Sequence, residues 1–297
     1  MNKKRLLKDK IAAKFMLGLV IFSGLLVFLI AFGLYYRAKP ILDIKPLGQL
    51  LFSSSWRPLR GDFGFFPFII GTFWVTTVAI LIAVPFSLLT AVYLSEYAHK
   101  LVRELTAPLI DLLAGIPSVI YGIWGVLVVV PLIKNHLAPF LGTFSTGYSV
   151  LSAGIVLAIM VFPVIIHVVI EVLRSIPNEL RDASLALGAT KWQTVKHVVL
   201  LKALPGIVAA VVLGVSRAFG ETMAVLMIAG NVAKLPGSVF DPAYPLPALI
   251  ANNYGEMLSV PLYDSALLLA SLILLVVVLG FNVLSRIVLV RIERRIQ

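Results

Sequence analysis

The chain has 297 residues, of which 60% are hydrophobic and 13% charged, and its net charge at pH 7 is +11. Soluble globular domains hold about 25% charged residues, so this composition excludes them and indicates a polytopic membrane protein. No cysteine is present, which excludes structural disulfides, thiolate metal sites and thiol nucleophiles.

Charge-poor runs long enough to cross a bilayer, which takes about 20 residues, occur six times along the chain. We predict membrane spans at residues 15–36, 63–95, 105–133, 148–170, 203–229 and 265–285. The expected fold is an all-α bundle of six transmembrane helices. The first span is expected to be a retained anchor, because its apolar run exceeds the core of about 7–15 residues that a signal peptide has.

The first outer loop, residues 37–62, is unusually basic. It carries Arg37, Lys39, Lys45, Arg57 and Arg60. A solvated loop, a docking surface for a partner and an electropositive funnel for an anionic substrate all fit this charge. After the loop, the run 63–95 is longer than one crossing needs. Its aromatic start at residues 63–68 is therefore expected to lie along the membrane interface.

The third predicted span contains Gly115-Ile116-Pro117-Ser118. Proline removes an intrahelical hydrogen bond, and a broken helix beside a transport path can aim backbone dipoles at an anion. Ser118 is therefore a candidate path residue. Asp111, before the break, is expected near the cytoplasmic interface, where its carboxylate stays hydrated. His167, near the end of the fourth span, is interpreted as structural, with a ligand or a proton relay as the alternative.

The loop between the fourth and fifth spans, residues 174–202, has a specific local pattern. Glu179 and Asp182 favour the positive end of a short helix, and Gly188 permits a left-handed stop after it. Residues 190–193, Thr-Lys-Trp-Gln, have the form of a capping box that starts a second helix. The pattern predicts a helix, a glycine-hinged corner and another helix, which is a shape that a partner protein can grip.

Arg217 and Glu221 are one helical turn apart inside the fifth predicted span. A charge at mid-bilayer costs roughly 2.5–3.5 kcal/mol, and it persists where a bundle interior or a water-filled path receives it. We expect an ion pair in which Glu221 holds Arg217 in a closed state and releases it when the path opens. Arg before Glu is the poorer order for a pair within one helix, so at least one of them is expected to reach another helix or a partner. A pair that only ties helices together is the alternative.

Lysine and arginine are distributed unequally between the loops. One side of the predicted topology receives Lys3, Lys4, Arg5, Lys8, Lys10, Lys14, Lys100, Arg103, Arg174, Arg181, Lys191, Lys196, Lys202, Arg286, Arg291, Arg294 and Arg295. The positive-inside rule makes this side cytoplasmic, so both terminal segments, 1–14 and 286–297, are predicted to be cytoplasmic. The net charge then reflects topology and lipid contact, and no nucleic-acid partner is expected.

Residues 179–190, Glu-Leu-Arg-Asp-Ala-Ser-Leu-Ala-Leu-Gly-Ala-Thr, resemble the EAA signature of the permease subunits of ABC importers. Asp182 stands where the signature has Glu, Ser184 where it has its second Ala, and Leu201 where it has Pro. The resemblance implies a type I, MetI-like transmembrane domain over residues 63–285 in a bacterial or archaeal inner membrane. It implies that the loop seats on an ATPase subunit through Glu179, Asp182, Ala183, Ser184 and Gly188.

Four further segments, 68–72, 93–98, 115–122 and 217–225, look like the phosphate transport permeases, and the last is similar to their PstC type more than to the sister PstA type. The resemblance implies a permease of an ATP-driven importer of inorganic phosphate. The implied path residues are Arg217, Glu221, Thr222, Ser118 and Asn231. The implied partners are a PstA-like second permease, a PstB-like ATP-binding dimer and a PstS-like extracytoplasmic phosphate-binding protein.

Motifs of enzymes are absent from the sequence. There is no Walker A Gly-x-x-x-x-Gly-Lys-Ser/Thr, no His-Glu-x-x-His and no Gly-x-Ser-x-Gly. We therefore expect a transport subunit that binds no cofactor or metal, with ATP and Mg²⁺ used by the partner ATPase.

Two alternatives remain open at this point. One is an ABC permease for another oxyanion, such as sulfate, molybdate or tungstate, because Arg217 alone does not distinguish tetrahedral anions. The other is an ion-coupled secondary carrier, against which the shaped loop and the lack of a visible inverted repeat stand.

Overall fold

The computed structural model describes residues 3–256 and 259–296, and it is almost wholly helical. The helices of these residues are α1 (Lys3–Ile44), α2 (Leu47–Phe52), α3 (Phe66–Val92), α4 (Lys100–Gly115), α5 (Ser118–Trp124), α6 (Val130–Leu132), α7 (Ala138–Phe140), α8 (Val150–Arg174), α9 (Asn178–Ala186), α10 (Lys191–Thr194), α11 (Leu200–Gly220), α12 (Met223–Ile228), α13 (Leu246–Asn253) and α14 (Tyr263–Ile296). Of the predicted terminal segments 1–14 and 286–297, Met1, Asn2, Gln297 and the side chains of Lys3, Lys4, Arg5, Lys8 and Arg295 lie outside the described residues.

Several helices continue through single π-helical turns, at Tyr93–Tyr97, Gly125–Val129, Ile133–Leu137 and Val195–Val199. With these continuations, six helices among the described residues are long and apolar enough to cross a membrane. They are Lys10–Ile44, Phe66–Tyr97, Ser118–Phe140, Val150–Arg174, Lys191–Gly220 and Tyr263–Arg291. The predicted all-α fold with six spans is confirmed.

Two spans have other bounds than the predicted 105–133 and 203–229. The third begins only at Ser118, because Pro117 has no N–H to donate and disfavours the helical conformation of the residue before it. The fifth begins earlier, at Lys191, and ends at Gly220, since Glu221 has an extended backbone with ψ 127°.

A small antiparallel hairpin precedes the second span. Strand β1 (Trp56–Arg57) pairs with β2 (Asp62–Phe63) across a turn in which Gly61 has a positive φ of 73°. The second span follows directly and covers 32 residues to Tyr97, which is about 48 Å at 1.5 Å per residue. At its far end, Lys191 Nζ lies 4.8 Å from the Tyr97 ring centroid. The hairpin and the loop containing α9 therefore lie at opposite ends of the bundle, called here the hairpin end and the loop end.

Aromatic side chains form a compact cluster at the hairpin end. Phe63, Phe65 and Phe68 are buried, and the Trp56 ring lies 4.9 Å from the Phe68 ring and 6.3 Å from the Tyr263 ring, measured between centroids. The buried rings of this segment therefore do not form an aromatic belt open to lipid, as the sequence suggested. They pack on one another and on α14, where edge-to-face contacts add to the burial.

The centre of the bundle is α8, the most buried of the six spans, which packs between α3 and α11. α1 packs on α14 at the periphery, and its most apolar window has no buried residue. Lipid tails are as apolar as leucine, so helices associate in a bilayer through close packing, which small residues permit. Gly154 of α8 approaches Val78 of α3, and Gly214 of α11 approaches Ile165 of α8.

Adding one methyl group at the centre tests this packing. A Cβ on Gly154 would lie 2.5 Å from Val78 Cγ1, and the branched valine has no flexible end to give way. We expect Gly154→Ala to destabilise the purified protein by about 1–3 kcal/mol, which is usual for overpacking. The midpoint of thermal unfolding in detergent measures it.

The matched control for that substitution is Gly280→Ala on α14. A Cβ there meets nothing within 4 Å, so we expect no loss of stability. A lower midpoint for the control than for Gly154→Ala would contradict the close-packing argument.

Candidate functional site

The first candidate path segment is the break between α4 and α5. In an unbroken helix the Leu113 carbonyl would accept a hydrogen bond from residue 117, but Pro117 has no N–H. The Tyr121 hydroxyl replaces it and donates to the Leu113 carbonyl at 2.8 Å. Ser118, half-buried, begins α5 directly after the break. The chain thus changes direction here while the freed carbonyl stays bonded.

A second break separates α11 from α12. Glu221 has an extended backbone, and its Oε1 accepts hydrogen bonds from the backbone N–H groups of Thr222 at 3.1 Å and Ala224 at 3.4 Å. The Thr222 hydroxyl donates to the Gly220 carbonyl at 3.3 Å. Both side chains therefore bond to the backbone that the break exposes.

The prediction of an ion pair between Arg217 and Glu221 is wrong. None of the ion pairs in residues 3–256 and 259–296 includes either side chain. The physical reason is that the helix ends between them, and the Glu221 carboxylate turns to the start of α12. Arg217 lies in the last turn of α11 with an exposed side chain.

The two breaks lie side by side. α5 packs against α12, and Gly122 sits so close to α12 that a Cβ on it would meet Ala224 Cα at 3.4 Å. Arg217 lies in the last turn of α11, which ends at Gly220 immediately before Glu221. The structure therefore brings Arg217, Glu221, Thr222 and the helix that Ser118 begins into one region.

Asn231 lies at the other end of α12. It follows Gly230, and both have a positive φ, 52° for Asn231 and 91° for Gly230. Its Nδ2 donates to the Leu226 carbonyl at 2.8 Å, and its backbone N–H donates to the Ala243 carbonyl at 3.0 Å. Asn231 thus lies on the far side of α12 from Glu221 and Thr222, and its side chain donates to the α12 backbone.

The loop end contains the predicted helix, corner and helix. α9 is followed by Gly188 with a φ of 84°, and Thr190 and Gln193 form the reciprocal capping box at the start of α10. These structural predictions are confirmed. Among the predicted coupling residues, Glu179, Asp182, Ala183 and Gly188 are exposed, while Ser184 is half-buried with its Oγ 2.9 Å from Thr194 Oγ1. Leu187, at the corner, is 90% exposed.

An ion pair between α9 and the end of the second span was not predicted. Arg181 Nη2 donates to Glu96 Oε1 at 2.8 Å, and Arg181 Nε donates to Glu96 Oε2 at 3.3 Å. The only available signal in the sequence was a single carboxylate at the end of an apolar run. A second pair joins α4 to α8, where His167 Nε2 lies 3.1 Å from Asp111 Oδ1, with both side chains largely exposed.

At the hairpin end, the basic outer loop is only partly paired. Lys45 Nζ donates to the Gly61 carbonyl at 2.6 Å and lies 3.4 Å from Asp62 Oδ1. Arg57 and Arg60 are exposed on either side of Leu59, which is 82% exposed at the hairpin tip. The hairpin thus presents a basic tip with one apolar side chain.

A multi-pass bundle with two adjacent helix breaks and a shaped loop at one end is an architecture that suits a membrane transport subunit. The profile of one family, described as "Binding-protein-dependent transport system inner membrane component", matches residues 83–297. The chain belongs to this family, the permeases of ABC importers.

Three relatives are similar over most of the chain. The phosphate transport system permease protein PstC of Xylella fastidiosa (strain 9a5c) is 39% identical and covers 89% of this chain and 85% of its own length. The probable phosphate transport system permease protein PstC of Methanocaldococcus jannaschii is 33% identical, with coverage of 96% and 95%. The probable ABC transporter permease protein YqgH of Bacillus subtilis is 40% identical, with coverage of 82% and 77%.

Solved structures share the fold. A bacterial alginate ABC transporter, crystallised with its alginate pentasaccharide-bound periplasmic protein, matches with a TM-score of 0.66 at 17% identity, over 95% of this chain and 94% of the matched chain. The MetNI methionine ABC transporter matches with a TM-score of 0.55 at 20% identity, over 75% and 93%. These likenesses show the type I, MetI-like permease fold that the sequence predicts.

The role of Glu221 at the second break can be tested by substitution. Glu221→Ala removes the acceptor for two backbone N–H groups, whereas Glu221→Gln keeps a carbonyl oxygen in place. We expect the alanine variant to lose about 1 kcal/mol of stability, as capping residues do, and the glutamine variant to stay close to the parent. Thermal unfolding of the purified protein in detergent measures both.

A double-mutant cycle separates this role from an ion pair with Arg217. Because no such pair is formed, we expect Arg217→Gln and Glu221→Ala to add within about 0.5 kcal/mol. A larger coupling energy would show that Glu221 interacts directly with Arg217, as an ion pair would.

Proposed function

We propose that the chain is a permease subunit of an ATP-driven importer of inorganic phosphate. The names of its relatives from Xylella fastidiosa and Methanocaldococcus jannaschii support phosphate as the substrate. The observation that carries the proposal in the structure is the exposed guanidinium of Arg217, which ends a membrane-spanning helix beside a second broken helix.

Arg217 suits a phosphate ligand for two reasons. A guanidinium presents paired N–H donors that match two phosphate oxygens, and it keeps its charge where water is scarce. A side chain that served only helix packing would not need to be charged, because a charge at mid-bilayer costs roughly 2.5–3.5 kcal/mol. Glu221 would repel the same anion, but its carboxylate is bonded to the backbone of α12, which offsets part of its charge.

The distribution of basic residues supports a topology with both termini and the loop end in the cytoplasm, and with the hairpin end outside. In this topology α9, with Glu179, Asp182, Ala183, Ser184 and Gly188, faces a PstB-like ATPase dimer that binds and hydrolyses MgATP. A PstA-like second permease completes the path. A PstS-like binding protein delivers phosphate to the hairpin end.

The resulting cycle is one of alternating access. Closure of the ATPase dimer displaces α9, and the bundle reorients so that the region around Arg217 opens to the hairpin side. Phosphate released by the binding protein pairs with Arg217, and hydrolysis returns the bundle to the state open to the cytoplasm. The helix breaks at Pro117 and Glu221 allow the segments beside Arg217 to move without exposing unbonded backbone to lipid.

The hairpin tip suits contact with the binding protein. Arg57 and Arg60 flank the exposed Leu59, so the tip offers positive charge around one apolar anchor. The tip stands on the buried aromatic cluster of Trp56, Phe63 and Phe68, which holds it in a fixed position. This favours docking to an acidic surface over a solvated loop.

The substrate is tested by uptake of labelled inorganic phosphate into proteoliposomes that contain this chain with its partner permease, ATPase and binding protein. We expect uptake that requires ATP and resists an excess of sulfate. Uptake that sulfate, molybdate or tungstate abolishes by competition would assign another oxyanion. Uptake without ATP, driven by an ion gradient, would contradict the importer mechanism.

Substitutions at Arg217 test its role in the path. We expect Arg217→Gln to lower phosphate uptake about tenfold or more, because hydrogen bonds to charged groups contribute roughly 1.5–3 kcal/mol each. Arg217→Lys should give an intermediate rate, since an ammonium keeps the charge but lacks the paired donors. Arg286→Gln, an exposed arginine on α14, is the matched control and should transport like the parent. Parent-like uptake by both Arg217 variants would show that this side chain does not bind phosphate during transport.

Charge reversal at the hairpin tip tests docking. We expect Arg57→Glu with Arg60→Glu to raise several-fold the binding-protein concentration that gives half-maximal uptake, with a larger effect at low ionic strength because surface charges are screened by salt. Arg286→Glu at the loop end is the control. If uptake depended on the binding-protein concentration as in the parent, the hairpin tip would be a solvated loop and not a docking surface.

A further inference from the structure

The end of the second span holds a nearly buried ion pair with α9. Glu96 lies in the π-helical turn Tyr93–Tyr97, and its side chain is 8% exposed, while that of Arg181 is 17% exposed. The two carboxylate oxygens face two guanidinium nitrogens at 2.8 and 3.3 Å. This forked geometry fixes direction as well as distance.

Arg181 uses its remaining donors on the backbone of another helix. Nη2 also donates to the Leu173 carbonyl at 2.9 Å, and Nη1 donates to the Ile176 carbonyl at 2.7 Å. These carbonyls belong to the last turn of α8 and to the link between α8 and α9. One guanidinium therefore joins α9, the end of α8 and the end of the second span.

Apolar burial does not hold α9 in place. None of the nine residues of α9 is buried, and an isolated helix of this length is unstable in water. Polar contacts therefore contribute to its attachment, namely the Arg181 cluster and the hydrogen bond between Ser184 and the buried Thr194.

The same π-helical turn holds two further elements. The Ser95 carbonyl accepts a hydrogen bond of 2.6 Å from Arg103 Nη2 of α4, and the Tyr97 ring lies under the Lys191 ammonium of α10. Turns of this kind occur often at functional sites. Here the turn collects α4, α9 and α10 at the end of one long helix.

We propose that the Glu96–Arg181 pair is the joint through which α9 moves the cytoplasmic end of the second transmembrane helix. The pair gives the ATPase a connection to this helix in addition to the covalent links of α9 to α8 and of α10 to α11. Glu96 and Arg181 are positioning residues, and their role in coupling rests on the proposed function as an ATP-driven importer.

The second span is suited to carry such a movement across the membrane. At its hairpin end, Thr72 Oγ1 accepts a hydrogen bond of 2.9 Å from the Leu246 N–H at the start of α13, and the Phe68 ring packs on Tyr244. The span is thus fixed at both ends by specific contacts. Displacement of its loop end is transmitted to the segments that face the binding protein.

The experiment compares ATP hydrolysis with phosphate uptake in proteoliposomes of the complete transporter. We expect the assembled complexes of Glu96→Gln and Arg181→Lys to hydrolyse ATP within about twofold of the parent, while uptake per complex falls about tenfold or more, because each variant removes the forked pair between α9 and the second span. The control is Glu104→Gln, which breaks the exposed pair with Lys100 and should change neither rate. Equal uptake per ATP in all variants would overturn the proposal, as would parallel loss of assembly, hydrolysis and uptake.

A covalent rescue separates a mechanical joint from a structural contact. The chain has no cysteine, so Glu96→Cys with Arg181→Cys, in a complex with cysteine-free partners, can be bridged by a short bifunctional thiol reagent. We expect low uptake per ATP before bridging and recovery after it, whereas each single cysteine variant should stay uncoupled with the reagent. Complete bridging without recovery would show that a connection at this point is not what couples the two elements.

A distance measurement tests whether the Glu96–Arg181 pair joins α9 to the second span, whatever the transported substrate is. Spin labels at Tyr93→Cys and Ala186→Cys report on the end of the second span and the end of α9. We expect the same narrow distance with and without ATP in the parent, and a nucleotide-dependent distance after Glu96→Gln. If the parent hydrolyses ATP but imports no phosphate, the substrate assignment fails while this measurement still tests the joint. A distance that stays the same after Glu96→Gln would contradict the proposed joint and leave the proposed function as a phosphate importer untouched.

Discussion

The architecture of the path depends on one constraint, which is that every backbone N–H and C=O inside a bilayer needs a hydrogen-bond partner within the protein. The chain breaks two membrane helices at neighbouring positions and meets the constraint with side chains. The Tyr121 hydroxyl bonds to the carbonyl that Pro117 leaves without a donor, and the Glu221 carboxylate accepts N–H groups that begin α12. Of the two charged side chains at the breaks, Glu221 is bonded to the backbone, whereas Arg217 is exposed and takes part in none of the ion pairs of the described residues.

This constraint explains why the sequence predicts the spans and the break at Pro117, but not the break at Glu221. Hydropathy finds the six spans because crossing a bilayer requires apolar length whatever the packing. Arg217 and Glu221 have helical spacing, and nothing local shows that the helix ends at Gly220 between them. The end is decided by the alternative partners that Glu221 finds on the backbone of α12. The capping box at Thr190 and the stop at Gly188 were predictable because those signals are local.

The joint at Glu96 was not predictable for a related reason. Glu96 and Arg181 are 85 positions apart in the chain. In its local sequence, each looks like an ordinary charged residue at the end of a membrane span. The aromatic residues 63–68 show the same limit, since aromatic side chains suit both a membrane interface and a buried cluster, and the contact with Tyr263 of α14 decides between them. Which alternative holds depends on tertiary contacts.

The position of the ion pairs indicates what each can contribute. The exposed pair of Lys100 and Glu104 belongs to a class worth about 0–1 kcal/mol, and the pair of His167 and Asp111 is also open to its surroundings. Burial of Glu96 and Arg181 brings a desolvation cost that can exceed the Coulombic gain, so their pair is weak evidence for net stability. Removing one partner of a buried pair nevertheless costs about 3–5 kcal/mol, because the other charge is left uncompensated. A contact that adds little to stability but is costly to break keeps two elements in one relative position, and this is the property that transmission of movement from α9 to the second span requires.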